Sequence, residues 1–190
     1  LADLRFTICD LQLAILTPPP TQASNSSLVH MFETIRSKCG ADERAFVGKI
    51  SGDGSWTIDF QAALVQLKDF SDAGEPALLL GTAFSFVHLL DFLMENNLKF
   101  NLPAGSRVME TGGYKGRSRT LPKAELHELI TERLGVPASQ IICEYGMSEK
   151  IGRLGFGDNQ QYHFLGRDLL DHKNYSDQTA RDIDLEIKVL

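Results

Sequence analysis

The chain is poor in cysteine, and its longest apolar runs fall well short of the ~18 residues of a membrane span. Cys9, Cys39 and Cys143 are odd in number and show no C-x-x-C spacing. That argues against a disulfide framework or a zinc knuckle and fits reduced thiols in a cytoplasm. No signal-peptide pattern opens the sequence. An excess of basic charge is also lacking. Lys and Arg number 19 against 25 Asp and Glu, a net −6, which argues against nucleic acid as a partner. Neither G-x-x-x-x-G-K-[ST] nor G-x-G-x-x-G occurs, so no P-loop or dinucleotide fingerprint is expected. His127-Glu128 starts like the zinc-peptidase H-E-x-x-H helix, but Thr131 stands where the second imidazole is needed. The stretch therefore reads as a solvent-facing part of its helix. His30, His88, His163 and His172 show no ligand spacing.

What is present is ordinary for a globular protein: 43% hydrophobic and 23% charged residues over 190 positions. One domain of ~150 residues with an appendage is the expectation. The chain opens at Leu1 and closes at Leu190 inside an apolar-periodic run, and so reads as a fragment.

Short β-like runs alternate with helical ones. AFVGKI (45–50) and SWTI (55–58) flank the hairpin signal Gly52-Asp53-Gly54. DFQAALVQLKDF (59–70) aligns Ala63, Leu64, Leu67 and Phe70 on one helical face, with Asp59 as N-cap. ALLL (77–80) reads as a buried strand, and Thr82 caps a helix whose Phe86, Leu89, Leu90 and Leu93 form a stripe. RVME (107–110) is the next strand, followed by a helix from Pro122 to Leu134 that Gly135 stops. QIICE (140–144) ends the series, with Cys143 as a small core residue. Upstream, Pro18-Pro19-Pro20 is a rigid break before a helix opened by Ser26-Ser27. Strands alternating with 12–15-residue helices predict an α/β fold with a mostly parallel, helix-covered sheet. After Glu149 the texture changes to GRLGFG and YHFLGR, two short strands, and an amphipathic helix from Ser176.

Ligands of open parallel sheets bind beyond the carboxyl ends of the strands. Three successive strands here end in Gly81-Thr82, in Thr111-Gly112-Gly113-Tyr114-Lys115-Gly116-Arg117 and in Tyr145-Gly146-Met147-Ser148-Glu149. If the strands are neighbours, these loops share one rim. Glycines let a base or phosphate approach the backbone, Tyr145 offers a stacking ring, and Ser148 offers a hydroxyl for a phosphate oxygen. Glu149 is a hard oxygen donor for Mg²⁺, and Lys115 and Arg117 can neutralise phosphate. The competing reading is that Gly-Gly and Tyr-Gly are plain turns. Phe84, Phe86 and Phe92 can line an acyl pocket or simply pack a core.

Residues from about 15 to 149 resemble the acyl-protein synthetases, the long-chain-fatty-acid ligases of the bacterial bioluminescence fatty acid reductase complex. The resemblance rests on ILTPPPTQASNSSLVHMFETI, GTAFSFVHLLDFL, RVMETGGYKGRSR and IICEYGMSE. It implies the central part of an adenylate-forming core that uses ATP and Mg²⁺ to turn a long-chain fatty acid into an acyl-adenylate for transfer to a cysteine. The implied partners are the fatty acid and an acyl-acceptor or reductase protein. It further implies that Thr111, Gly112 and Gly113 wall the adenine pocket with Tyr145 and Gly146, while Ser148 meets the α-phosphate and Glu149 binds Mg²⁺. The Gly/Ser/Thr-rich phosphate loop, the ribose-binding acid and the C-terminal lobe of such enzymes are missing. Full ligase turnover is therefore not expected, and a non-catalytic nucleotide-binding module is a further reading.

The tail resembles another family. YGMSEKIGRLGFG, then FLGRDLLDHKNYSDQTARDIDLEI, is similar to the peptidase domain of the FtsH-like membrane-anchored AAA+ zinc metalloproteases. That family's zinc ligands have no counterpart here, so this resemblance implies a remnant of a zinc metalloendopeptidase with no zinc site. The two resemblances meet on Tyr145–Glu149 and imply a chimera, with residues 1–149 from one source and 150–190 from the other.

Overall fold

The computed structural model describes residues 10–111 and 119–144, together with two short strands at 154–156 and 160–162. Four strands form the parallel part of its main sheet: β1 (Gln12–Ile15), β4 (Ala77–Thr82), β5 (Arg107–Thr111) and β6 (Ile141–Glu144). Between β1 and β4 lie helix α1 (Ser27–Lys38), the hairpin β2 (Gly48–Ile50) and β3 (Trp56–Ile58), and helix α2 (Phe60–Ala73). Helix α3 (Ala83–Glu95) joins β4 to β5, and α4 (Lys123–Leu134) joins β5 to β6. Strands β7 (Leu154–Phe156) and β8 (Gln160–Tyr162) extend the sheet antiparallel beyond β6. The class is α/β with a mostly parallel sheet, as the alternation of strand and helix predicts.

Helix boundaries follow the capping residues. Ser26, Asp59 and Thr82 accept from the backbone N–H of Val29, Ala62 and Ser85 and so begin α1, α2 and α3. Lys49 lies 3.3 Å from Asp59, and that ion pair adds to the backbone N–H bonds in holding the Asp59 carboxyl below its ordinary range. Gly74 and Gly135 end α2 and α4 in the left-handed conformation that only glycine adopts without strain. Replacing Thr82 by Ala leaves the Ser85 N–H unpaired, and a loss of about 1 kcal/mol is expected in urea unfolding.

The pleat of β4 divides the core. Ala77 and Leu79 face one side, with α2, α3 and α4, while Leu78 and Leu80 face the other, with α1. Phe86, Leu89, Leu90 and Leu93 of α3 are all fully buried on the first side. Strand β1 is the element that the sequence pattern leaves unmarked. Its QLAI is too short to alternate visibly, and only pairing with β4 makes it a strand. The bridge from Phe46 to Ile15 then covers its outer edge. The second tail strand falls at 160–162, earlier than YHFLGR predicts, and the tail helix expected from Ser176 lies outside the described residues.

Candidate binding edge at the strand carboxyl ends

The register of the parallel strands sets the geometry of this edge. Thr82 pairs with Thr111, and Thr111 with Glu144, so the ends of β4, β5 and β6 align across three neighbouring strands. The condition for a shared rim is met at the level of the strands. Thr111 is 4% exposed, and its hydroxyl finds no hydrogen-bond partner among the described residues. The other expected site residues, Gly112, Gly113, Tyr145, Gly146, Ser148 and Glu149, lie outside the described residues, as do Lys115 and Arg117.

One residue pattern at this edge was not legible in the sequence. Glu110, the penultimate residue of β5, is buried on the α4 side of the sheet. Its carboxylate faces His127 of α4, Oε1 to Nε2, at 3.6 Å. His127 is thus corrected from solvent-facing to largely buried, because α4 packs its 126–130–134 stripe onto the sheet and position 127 sits at the flank of that stripe. Its Nε2 makes no hydrogen bond within the described residues. Cys143 of β6 is half-buried next to Glu110, its partner across the strands. Burial and the Glu110 carboxylate push the Cys143 thiol up to about 12, while Lys123 acts weakly in the opposite direction.

Cys143 is therefore held as the thiol at neutral pH, and its reactivity is low. At pH 8 its thiolate fraction is on the order of a thousandfold below that of an ordinary cysteine, and alkylation slows in proportion. Iodoacetamide labelling with peptide mapping checks this, and labelling of Cys143 in the native chain as fast as in urea would contradict it. A raised thiol pKa stabilises the folded state at pH values below the unfolded value of 9.0, and that contribution fades as pH rises towards 12.

Two further features bound the edge. Arg119 pairs with Asp91 of α3 at 2.7 Å and approaches Glu125 of α4 at 3.9 Å, tying the chain after the 112–118 segment to both helices. The phenylalanines do not form one acyl pocket among the described residues. Phe86 is fully buried in the core, Phe84 packs on His88, and Phe92 stacks on Phe60 with centroids 4.2 Å apart. The depression beside that stack, about 230 Å³, is lined by Phe60 and Phe92 together with His88, Asp91 and Glu95. No group of three His, Cys, Asp or Glu side chains among the described residues is placed to hold a metal, and no described helix is long and apolar enough to cross a membrane.

Similarity to known proteins falls on the C-terminal part. Residues 131–190 match the model of peptidase family M41. The ATP-dependent zinc metalloprotease FtsH of Magnetococcus marinus is 50% identical over 50 residues, 26% of this chain and 7% of that one. FtsH 1 of Thermomicrobium roseum is 44% identical over 59 residues, covering 31% and 9%. FtsH 2 of Alkaliphilus metalliredigens is 38% identical over 76 residues, covering 37% and 11%. The chain thus spans about a tenth of the length of these relatives, or less. No solved structure matches it. The family match starts at residue 131, within α4, upstream of the boundary expected at 149/150. Nothing in these matches supports the acyl-protein synthetase resemblance of residues 15–149, or the Mg²⁺, fatty acid and acceptor protein drawn from it.

Proposed function

We propose that the C-terminal part of the chain is a segment of an FtsH-type zinc metalloprotease separated from that enzyme's zinc chemistry. The observation that carries this is the match of residues 131–190 to peptidase family M41, with half-identity over 50 residues to one relative. The chemistry of the donor set supports the loss of zinc. A hydrolytic zinc needs three protein ligands around an open position, and the only H-E start in the sequence places Thr131 where the second imidazole is needed. His127 is instead turned towards a buried carboxylate. The purified chain is expected to hold less than stoichiometric zinc and to leave casein uncut with or without ATP. One zinc per chain, or chelator-sensitive hydrolysis, would overturn the proposal.

A second reading concerns residues 1–149, favoured by the alignment of Thr82, Thr111 and Glu144 at one sheet edge. It makes this part the remainder of an adenylate-forming acyl-protein synthetase core. Thr111, Gly112, Gly113, Tyr145 and Gly146 would sit by the adenine, Ser148 by the α-phosphate and Glu149 by Mg²⁺. Nucleotide binding is then expected without ligase turnover. AMP is expected to raise the melting temperature, with the rise lost in Tyr145→Ala, while fatty-acid-dependent ATP–pyrophosphate exchange stays at background. Measurable exchange would show a complete enzyme, and no response to AMP or ATP would remove the nucleotide reading. Both pieces in one chain make it a chimera. Amplification from source DNA across codons 145–149 tests whether one gene encodes it.

A further inference from the structure

Three threonines stand side by side at the carboxyl ends of β1, β4 and β5. Thr82 and Thr111 are paired residues of adjacent parallel strands, so their side chains project to the same face of the sheet. Thr17 follows β1 on the other side of β4. Leu16 donates to the Leu80 carbonyl at 2.7 Å, which brings the next residue, Thr17, alongside the end of β4. The middle threonine is satisfied. Its Oγ1 accepts from the Ser85 N–H at 3.0 Å, lies 2.8 Å from Ser85 Oγ, and caps α3. The outer two are not. Thr17 is 0% and Thr111 4% exposed, and neither Oγ1 has a hydrogen-bond partner among the described residues.

Two buried, unpartnered hydroxyls are costly, because each has left water without a replacement bond. They flank the N-terminus of a 13-residue helix, whose free N–H groups and dipole favour negative charge. Apolar residues of the same shape would fill these positions at lower cost, so the hydroxyls call for a partner that the described residues do not supply. We propose that Thr17, Thr82 and Thr111 form a subsite for an oxyanion, a carboxylate or a phosphoryl group, whose oxygens accept from the two outer hydroxyls in front of α3. This deepens the nucleotide reading of the same edge and rests on it. Within that reading Thr111 then serves the oxyanion as a hydroxyl donor, in place of a position against the adenine.

The test uses the full chain and its Thr17→Val, Thr111→Val and Thr111→Ser variants. Melting temperatures are read alone and with inorganic phosphate, AMP or octanoate at millimolar concentration. Without ligand, each Val variant is expected to melt about 2–4 °C above the parent, since an unpaired buried hydroxyl has been removed. At least one probe is expected to stabilise the parent and Thr111→Ser but neither Val variant. A response to phosphate and AMP alone identifies a phosphoryl group, and a response to octanoate alone identifies a carboxylate. Val variants less stable than the parent, or a parent that responds to no probe, would overturn the subsite. AMP stabilisation that survives both Val changes removes the subsite and leaves the nucleotide reading standing. A phosphate shift lost in both, with no response to AMP, keeps the subsite and removes that reading.

Discussion

Replacing Gly48 by alanine is expected to cost ~4 kcal/mol, near the upper end for a single substitution, and to lower the melting temperature by roughly 10 °C. A Cβ at this position would lie 2.1 Å from the carbonyl carbon of Thr17 and 2.5 Å from the nitrogen of Pro18. Both are backbone atoms, so no side chain can swing aside. The neighbours cannot yield either. Val47 donates to the Ile15 carbonyl at 2.9 Å and Asp59 donates to the Val47 carbonyl at 2.7 Å, pinning the hairpin strands to the edge of the main sheet. Pro18 opens a three-proline stretch with fixed backbone angles, tied further on by Gln22 N to the Pro19 carbonyl. Urea unfolding gives the measurement. A fall in midpoint at constant slope is expected, and a loss under ~1 kcal/mol would mean that the hairpin moves away freely. Gly52→Ala is the control: nothing lies within 4 Å of its Cβ position, so a change within ~0.5 kcal/mol is expected.

The second large effect is Phe86→Ala, at about 3–5 kcal/mol. Phe86 is fully buried between the sheet and α3, and a Cβ on Gly81 would come within 3.1 Å of its ring. Deletion removes the transfer free energy of the ring and leaves a void that a close-packed interior does not close. Phe92→Ala should cost far less, about 1 kcal/mol, because that ring is only partly buried and stacks on Phe60 near the surface. The pair of measurements separates core from pocket. A ring lining an open acyl pocket would be cheap to remove at position 86, and an equal cost at both positions would contradict the division drawn here.

Helices were the most legible part of this chain. Asp59 with the 63–67–70 stripe, Thr82 with the 86–89–90–93 stripe, and Gly135 as a stop are local signals. Local hydrogen bonds and a 3.6-residue period act without reference to the rest of the fold. The strands ALLL, RVME and IICE were legible for a related reason, being short apolar runs between helices of the right length. QLAI carried no such mark, since four residues ahead of a proline run become a strand only by pairing with β4. The candidate site divided in the same way. Glycine-rich strand ends advertise themselves, whereas a glutamate in RVME and a histidine in LHEL give no sign that they face each other 3.6 Å apart.

The sequence by itself determined the α/β class, the helix limits and the similarity of residues 131–190 to peptidase family M41, because capping, periodicity and residue identity are properties of short stretches. Tertiary structure alone decided which strand ends are neighbours, and so placed Thr17, Thr82 and Thr111 in one row, with two of the hydroxyls unpaired among the described residues. It also turned His127 inward and quenched Cys143. Burial and the approach of distant groups are set by how elements pack, and no stretch of sequence carries that information locally.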